Sequence, residues 1–152
     1  MARWPRGEAD VERLVGLGHL QHVTGAAADG TPLLAKARRT LATAESVAPS
    51  DADSAFVLAY DAARYAATAL LAHQGPRPTT AGGHVAVESA IRAQFGDGFR
   101  RFGFLRRRRN ELEYPSAGST TSDVEEANEA VAQSRSIIEA AGQLLPNLSF
   151  FG

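Results

Sequence analysis

From residue 105 to 115 the chain reads Leu-Arg-Arg-Arg-Arg-Asn-Glu-Leu-Glu-Tyr-Pro, so Arg106, Arg107, Arg108 and Arg109 run directly into an amide, two carboxylates and a phenol. A guanidinium is planar and presents two parallel N–H groups, a fork that matches two oxygens of a phosphate. A plainer use exists: Glu111 and Glu113 stand at helical spacing from the arginines, and paired charges can simply keep a helix face in water. Composition leaves both open. Geometry narrows them, because residues seven apart on a helix differ by only about 20° in direction. Arg107, Asn110, Glu111 and Tyr114 then share one face, while Leu105 and Leu112 point about 200° away and can anchor the helix to a core. The polar quartet is expected to face solvent or a partner chain.

Other reactive side chains are sparser. Asp61 and Arg64 are three apart on a long helical segment, spaced for an ion pair, or for Arg64 to join the arginine cluster across a bundle. His19 and His22 lie one helical turn apart, but with no carboxylate or third histidine nearby they read as a polar pair and not a metal site. His73 ends an apolar stripe and is expected to pack or cap. His84 follows Gly82-Gly83 and is read as part of a turn in preference to an anion ligand. Gly16-Leu17-Gly18 lacks the third glycine of a dinucleotide fingerprint, and no nucleophilic serine motif is present. No metal or cofactor is expected.

These groups sit in a chain of 152 residues with 44% apolar content, enough for one packed core and too much for a disordered segment. With no cysteine, disulfides and thiolate metal sites are excluded. No apolar run approaches the roughly 20 residues of a membrane span. The first residues carry arginines with no apolar stretch behind them, so a signal peptide is not expected and a cytoplasmic address is. The net charge of −1 argues against a surface built throughout to grip nucleic acid, yet six arginines fall between 100 and 109, and Asp123, Glu125, Glu126 and Glu129 follow.

The elements that must position the arginines are helical, with no convincing strand alternation. Val11, Leu14, Leu17 and Leu20 predict a helix over 8–23, weakened by two glycines, and 25–30 reads as a loop. Thr31-Pro32 supplies an N-cap with proline in the first turn, and Pro49 ends that helix. Ser50-Asp51-Ala52-Asp53 starts a long alanine-rich one whose small side chains admit close neighbours. Gly75-Pro76-Arg77-Pro78 breaks it. Further helices are expected over 81–95, from the Gly96-Asp97-Gly98 hinge to Pro115, and after a Ser122/Glu125 capping box, closing at Pro146. The expectation is an all-α, up-and-down bundle of five or six helices in a single domain over 1–152, with 1–7 flexible, Trp4 at most a minor anchor, and the core at 31–146.

Three segments in this order resemble one family over roughly residues 50–145. They are Ala59-Tyr60-Asp61-Ala62-Ala63-Arg64 on a helix continuing to His73, Thr80-Ala81-Gly82-Gly83-His84 before a helix, and the arginine segment ending Glu113-Tyr114-Pro115. The family is that of HEPN (higher eukaryotes and prokaryotes nucleotide-binding) domains, in a small actinobacterial-type branch. The resemblance implies a helical bundle that pairs as a homodimer, RNA or nucleotide as ligand, and, as in many members, metal-independent ribonuclease activity in a toxin–antitoxin or defence system. An antitoxin or a nucleotidyltransferase is the implied partner.

The family signature is an arginine, four to six residues, then a histidine. Arg109-Asn110 matches its opening, but Tyr114 stands at the first histidine position. In a second alignment Arg107 pairs with Tyr114 as the modifiable tyrosine, and Leu112 replaces the histidine. The resemblance thus assigns catalysis to Arg107, Arg109, Asn110 and Tyr114, and RNA or nucleotide binding to Arg64, Arg106, Arg108 and Glu111. Loss of the histidine matters because imidazole gives and takes protons near neutral pH, whereas a phenol with a pKa of about 10 is a poor base unless cations stabilise its phenolate. The alternative it leaves is a catalytically inactive dimerisation or interaction domain using Arg107, Asn110, Glu111 and Tyr114 for contact.

Overall fold

The computed structural model describes residues 6–99 and 101–148. Met1–Pro5, with Trp4 and most of the stretch expected to be flexible, and Arg100 lie outside the described residues. Six helices form an all-α bundle: α1 (Glu8–Gly16), α2 (Thr31–Val47), α3 (Ala52–Gln74), α4 (Gly83–Phe95), α5 (Arg101–Glu113) and α6 (Val124–Leu144). Among the described residues no helix is long and apolar enough to cross a membrane.

Helix α3 is the axis. Asp51 caps it, its carboxylate accepting from the Ser54 N–H at 3.1 Å. Ala59, Tyr60, Ala63, Ala66, Ala67 and Leu70 are fully buried, and Ala62, Ala69 and Leu71 on other faces are buried too. A helix buried nearly all round must be central. Its alanines let α2 and α6 pack close on either side, with α4 and α5 closing the remaining face. The buried cluster also takes in Val11, Leu14 and Leu20, so it extends N-terminal to the expected start at residue 31.

The opening segment departs from the helix expected over 8–23. Helix α1 stops at Gly16; the chain turns through Gly18 (φ 75°), and β1 (Leu20–His22) pairs antiparallel with β2 (Pro76–Pro78), Gln21 opposite Arg77. Two glycines each cost a helix about 1 kcal/mol, and the segment satisfies its backbone against β2 instead. Two caps also shift by one residue. Gly30, not Thr31, precedes α2; Asp29 accepts from the Thr31 N–H at 2.9 Å, and His73 Nδ1 accepts from the Gly30 N–H at 3.3 Å. At α6 the expected Ser122 box gives way to Asp123, which accepts from the Glu126 N–H at 2.7 Å, a full carboxylate charge being the stronger complement to the helix dipole. Ser122 instead donates its N–H to Asp53.

Glu88 of α4 reaches α5 at Gly103, which is buried; a β-carbon there would overlap the Glu88 carboxylate. Gly103→Ala is therefore expected to push Glu88 off α5 and to cost about 1–3 kcal/mol, the usual penalty for overpacking. A thermal melt followed by circular dichroism checks this; an unchanged midpoint would mean that the Glu88 carboxylate yields its place without cost.

Candidate functional site

Helix α5 is held down by Phe102, Leu105 and Leu112, all buried, and the quartet Arg107, Asn110, Glu111 and Tyr114 is exposed on the opposite side, as the seven-residue spacing requires. The four arginines do not act as one patch. Arg106 turns toward α4, its Nε donating to Glu88 Oε2 at 2.7 Å. Glu88 is buried and lies 3.5 Å from Arg92 as well. Arg108 turns toward α6, donating to Glu126 at 3.0 Å, to Glu111 at 3.0 Å, and to the Thr121 carbonyl. These two braces tie the helix to its neighbours. Arg107 makes no ion pair or hydrogen bond among the described residues; it is exposed, with its guanidinium folded back toward Gly103. Tyr114 is 71% exposed, and its side chain likewise has no hydrogen bond or ring contact among the described residues.

Arg109 is the one that reaches α3. Its Nη2 lies 2.8 Å from Glu113 and 3.9 Å from Asp61 Oδ1, its Nη1 donates to Asn110 at 3.2 Å, and its guanidinium carbon sits 5.8 Å from the centre of the Tyr60 ring. Arg64 shares the same carboxylate, 3.8 Å from Asp61 Oδ1. The two sequence readings of Arg64 merge, since the intrahelical pair and the link across the bundle run through one oxygen. Tyr60 stacks on Phe102 (centroids 5.5 Å apart, planes 13° apart) and meets the His84 ring at 5.6 Å. His84 reaches it from the first turn of α4. Gly82, just before it, lies against the His19 carbonyl, where a side chain would collide.

This inner cluster has more donors than acceptors. The Tyr60 hydroxyl, Arg64 Nε and Arg109 Nε are all buried and all lack a hydrogen-bond partner. Asp61 Oδ1 neutralises charge but at 3.8–3.9 Å is too distant to accept from either guanidinium. Buried donors left without acceptors are costly and uncommon. Asp61 Oδ1 is itself buried and without a hydrogen-bond partner, so the cluster holds three unpartnered donors around one unpartnered acceptor.

Burial shapes the titration of these groups. It pushes the Asp61 carboxyl above its usual range, against the pull of Arg64 and Arg109. It raises the Tyr60 phenol in the same way, despite Arg64, Arg106 and Arg109, so that phenol is a hydrogen-bond donor and not a base. His84 is pushed down to about 4, first by burial and then by Arg64, Arg109 and Arg106, leaving a neutral imidazole at pH 7.

Of the site residues expected from sequence, the structure brings Arg64 and Arg109 onto Asp61 and places Arg106 within electrostatic reach of Tyr60 and His84. It leaves Arg107, Asn110, Glu111 and Tyr114 on an outer face, with Arg108 braced to α6. Neither Tyr60 nor His84 stands out as a site residue in the sequence. The phenol near the arginines is Tyr60, not Tyr114. One signal was available: a tyrosine in an alanine stripe buries a hydroxyl that must find a partner, and Arg64 follows it at the spacing that puts both on one helix face. No group of three or more metal-ligating side chains is placed to hold a metal among the described residues. A family model, that of the HEPN domain, matches residues 32–144. No curated protein and no solved structure matches the chain.

Proposed function

Because the chain belongs to the HEPN domain family, we propose that it binds RNA or a nucleotide, taking a phosphate at the cluster of Tyr60, Arg64 and Arg109 on α3 and α5. One observation carries this reading: three buried donors in that cluster have no acceptor. A phosphate oxygen would satisfy them, and the charge-assisted bonds so formed are the strong kind. Asn110, exposed and bonded to Arg109, and Arg107 on the outer face would track the neighbouring backbone. Pairing of two copies through α5, as the family resemblance implies, would set two such clusters side by side.

Within this reading the activity is metal-independent endoribonuclease cleavage in a toxin–antitoxin or defence setting. A second reading has its own support. Both signature alignments lack histidine, and the exposed Arg107 and Tyr114 fit an inactive domain that binds a protein partner, such as an antitoxin or nucleotidyltransferase, through the outer face. The test is to incubate the purified chain with total RNA and a chelator of divalent metals, then to run the RNA on a gel and the protein on a sizing column. Discrete RNA fragments support the ribonuclease. Intact RNA that co-elutes with protein supports binding alone. Intact, unbound RNA with a stable dimer supports the interaction domain and removes the phosphate site.

A further inference from the structure

Resting on that reading, we infer that His84, borne on α4 and not on the arginine helix, is the proton-transferring group of the phosphate cluster, in place of the histidine absent from residues 110–115. The placement is geometric. His84 is the histidine that contacts the cluster, its ring 5.6 Å from that of Tyr60, the same ring that Arg109 approaches to 5.8 Å. Tyr60 is fully buried, and its hydroxyl, lying within the field of Arg64, Arg106 and Arg109, has no partner. His84 is half-buried, so one edge remains open to a ligand.

The groups facing His84 are Tyr60 and Arg64 from α3 and Arg106 and Arg109 from α5. On its own helix Glu88 is one turn away but committed to Arg106. The β1 side meets α4 through the main-chain carbonyl of His19 at Gly82. Cations and burial both favour neutral imidazole, which is the form that can accept a proton. A phosphodiester entering between the guanidiniums offsets their charge and restores basicity to the ring. The neutral imidazole then takes the proton from a ribose 2′-hydroxyl as its oxygen bonds to phosphorus, and the bond from phosphorus to the 5′-oxygen breaks. The imidazolium returns the proton to that leaving oxygen. The products are a 2′,3′-cyclic phosphate and a 5′-hydroxyl, with no further reactant.

The experiment follows the histidine ring resonances of the full chain by NMR from pH 3.5 to 8, with and without a 2′-deoxy-substituted RNA oligonucleotide that binds but cannot be cleaved. The expected result is a midpoint for His84 near 4 in the free protein that rises by at least about one pH unit when the oligonucleotide is bound. The companion variant, His84→Asn, is expected to bind the oligonucleotide within about twofold of wild type but to lose cleavage of the all-ribose version at least about hundredfold. Oligonucleotide bound through Arg109 with an unmoved His84 midpoint, or undiminished cleavage by a folded His84→Asn, overturns the inference and leaves the binding reading standing. An oligonucleotide that does not bind at all overturns both.

Discussion

Arg109→Ala is expected to weaken binding of a single-stranded RNA by about ten- to hundredfold at fixed salt, the equivalent of one or two charge-assisted hydrogen bonds to phosphate. The fold should tolerate the change: Arg109 leaves behind Glu113, which is exposed, and Asp61, which keeps Arg64 at 3.8 Å. Fluorescence anisotropy with a labelled oligonucleotide, beside a melt of each protein, separates lost binding from lost folding. The same cluster makes an opposite expectation for Asp61→Asn. Its carboxylate is a like charge to the incoming phosphate, held between the two guanidiniums that should receive it. At about 5 Å and an effective dielectric near 20, such a repulsion amounts to roughly 3 kcal/mol before relaxation, so binding about tenfold tighter is a modest expectation. That advantage should narrow as pH falls, because burial already holds the wild-type Asp61 carboxyl above its usual range, and protonation then does what the substitution does. If both substitutions weaken binding alike, Asp61, Arg64 and Arg109 are a structural brace and the phosphate lies elsewhere.

How much of this could be read in the chain differs between fold and site. The helices were legible because their signals are local. The Leu105 and Leu112 spacing placed the outer face of α5, and Asp51 and Pro49 marked the junction between α2 and α3. The β1–β2 ladder was not, because a three-residue strand made by Leu20–His22 is decided by its partner more than fifty residues away, at Pro76–Pro78. The site divided along the same line. A run of four arginines announces positive charge, but which acid each one meets depends on neighbouring helices: Glu88 on α4 for Arg106, Glu126 on α6 for Arg108, Asp61 on α3 for Arg109. Tyr114, adjacent in sequence, drew attention that Tyr60, distant in sequence and stacked on Phe102, holds in space. His84 reads as a turn residue because nothing local shows that its ring meets Tyr60, twenty-four residues earlier on α3.

That division of labour gives the arginine helix its largest structural prediction. Arg106→Ala is expected to destabilise the protein by about 3 kcal/mol, because it strips the 2.7 Å partner from a carboxylate that is buried. Arg92, at 3.5 Å and half-exposed, offsets only part of the loss. For a chain of this length the melting midpoint should fall by roughly 6–12 °C. Adding Glu88→Gln should recover much of that, since an amide in the same place needs hydrogen bonds but no counter-charge; the double variant is thus expected to melt above Arg106→Ala alone. Gly103 gives the carboxylate its seat on α5: Glu88 occupies the space that a β-carbon there would fill. RNA affinity, measured on the fraction that remains folded, should change far less than for Arg109→Ala, because the Arg106 fork is occupied by Glu88 before any ligand arrives. The reverse order, with Arg106 governing affinity and Arg109 governing stability, would mean that Glu88 yields its partner to the phosphate and that the binding site opens toward α4.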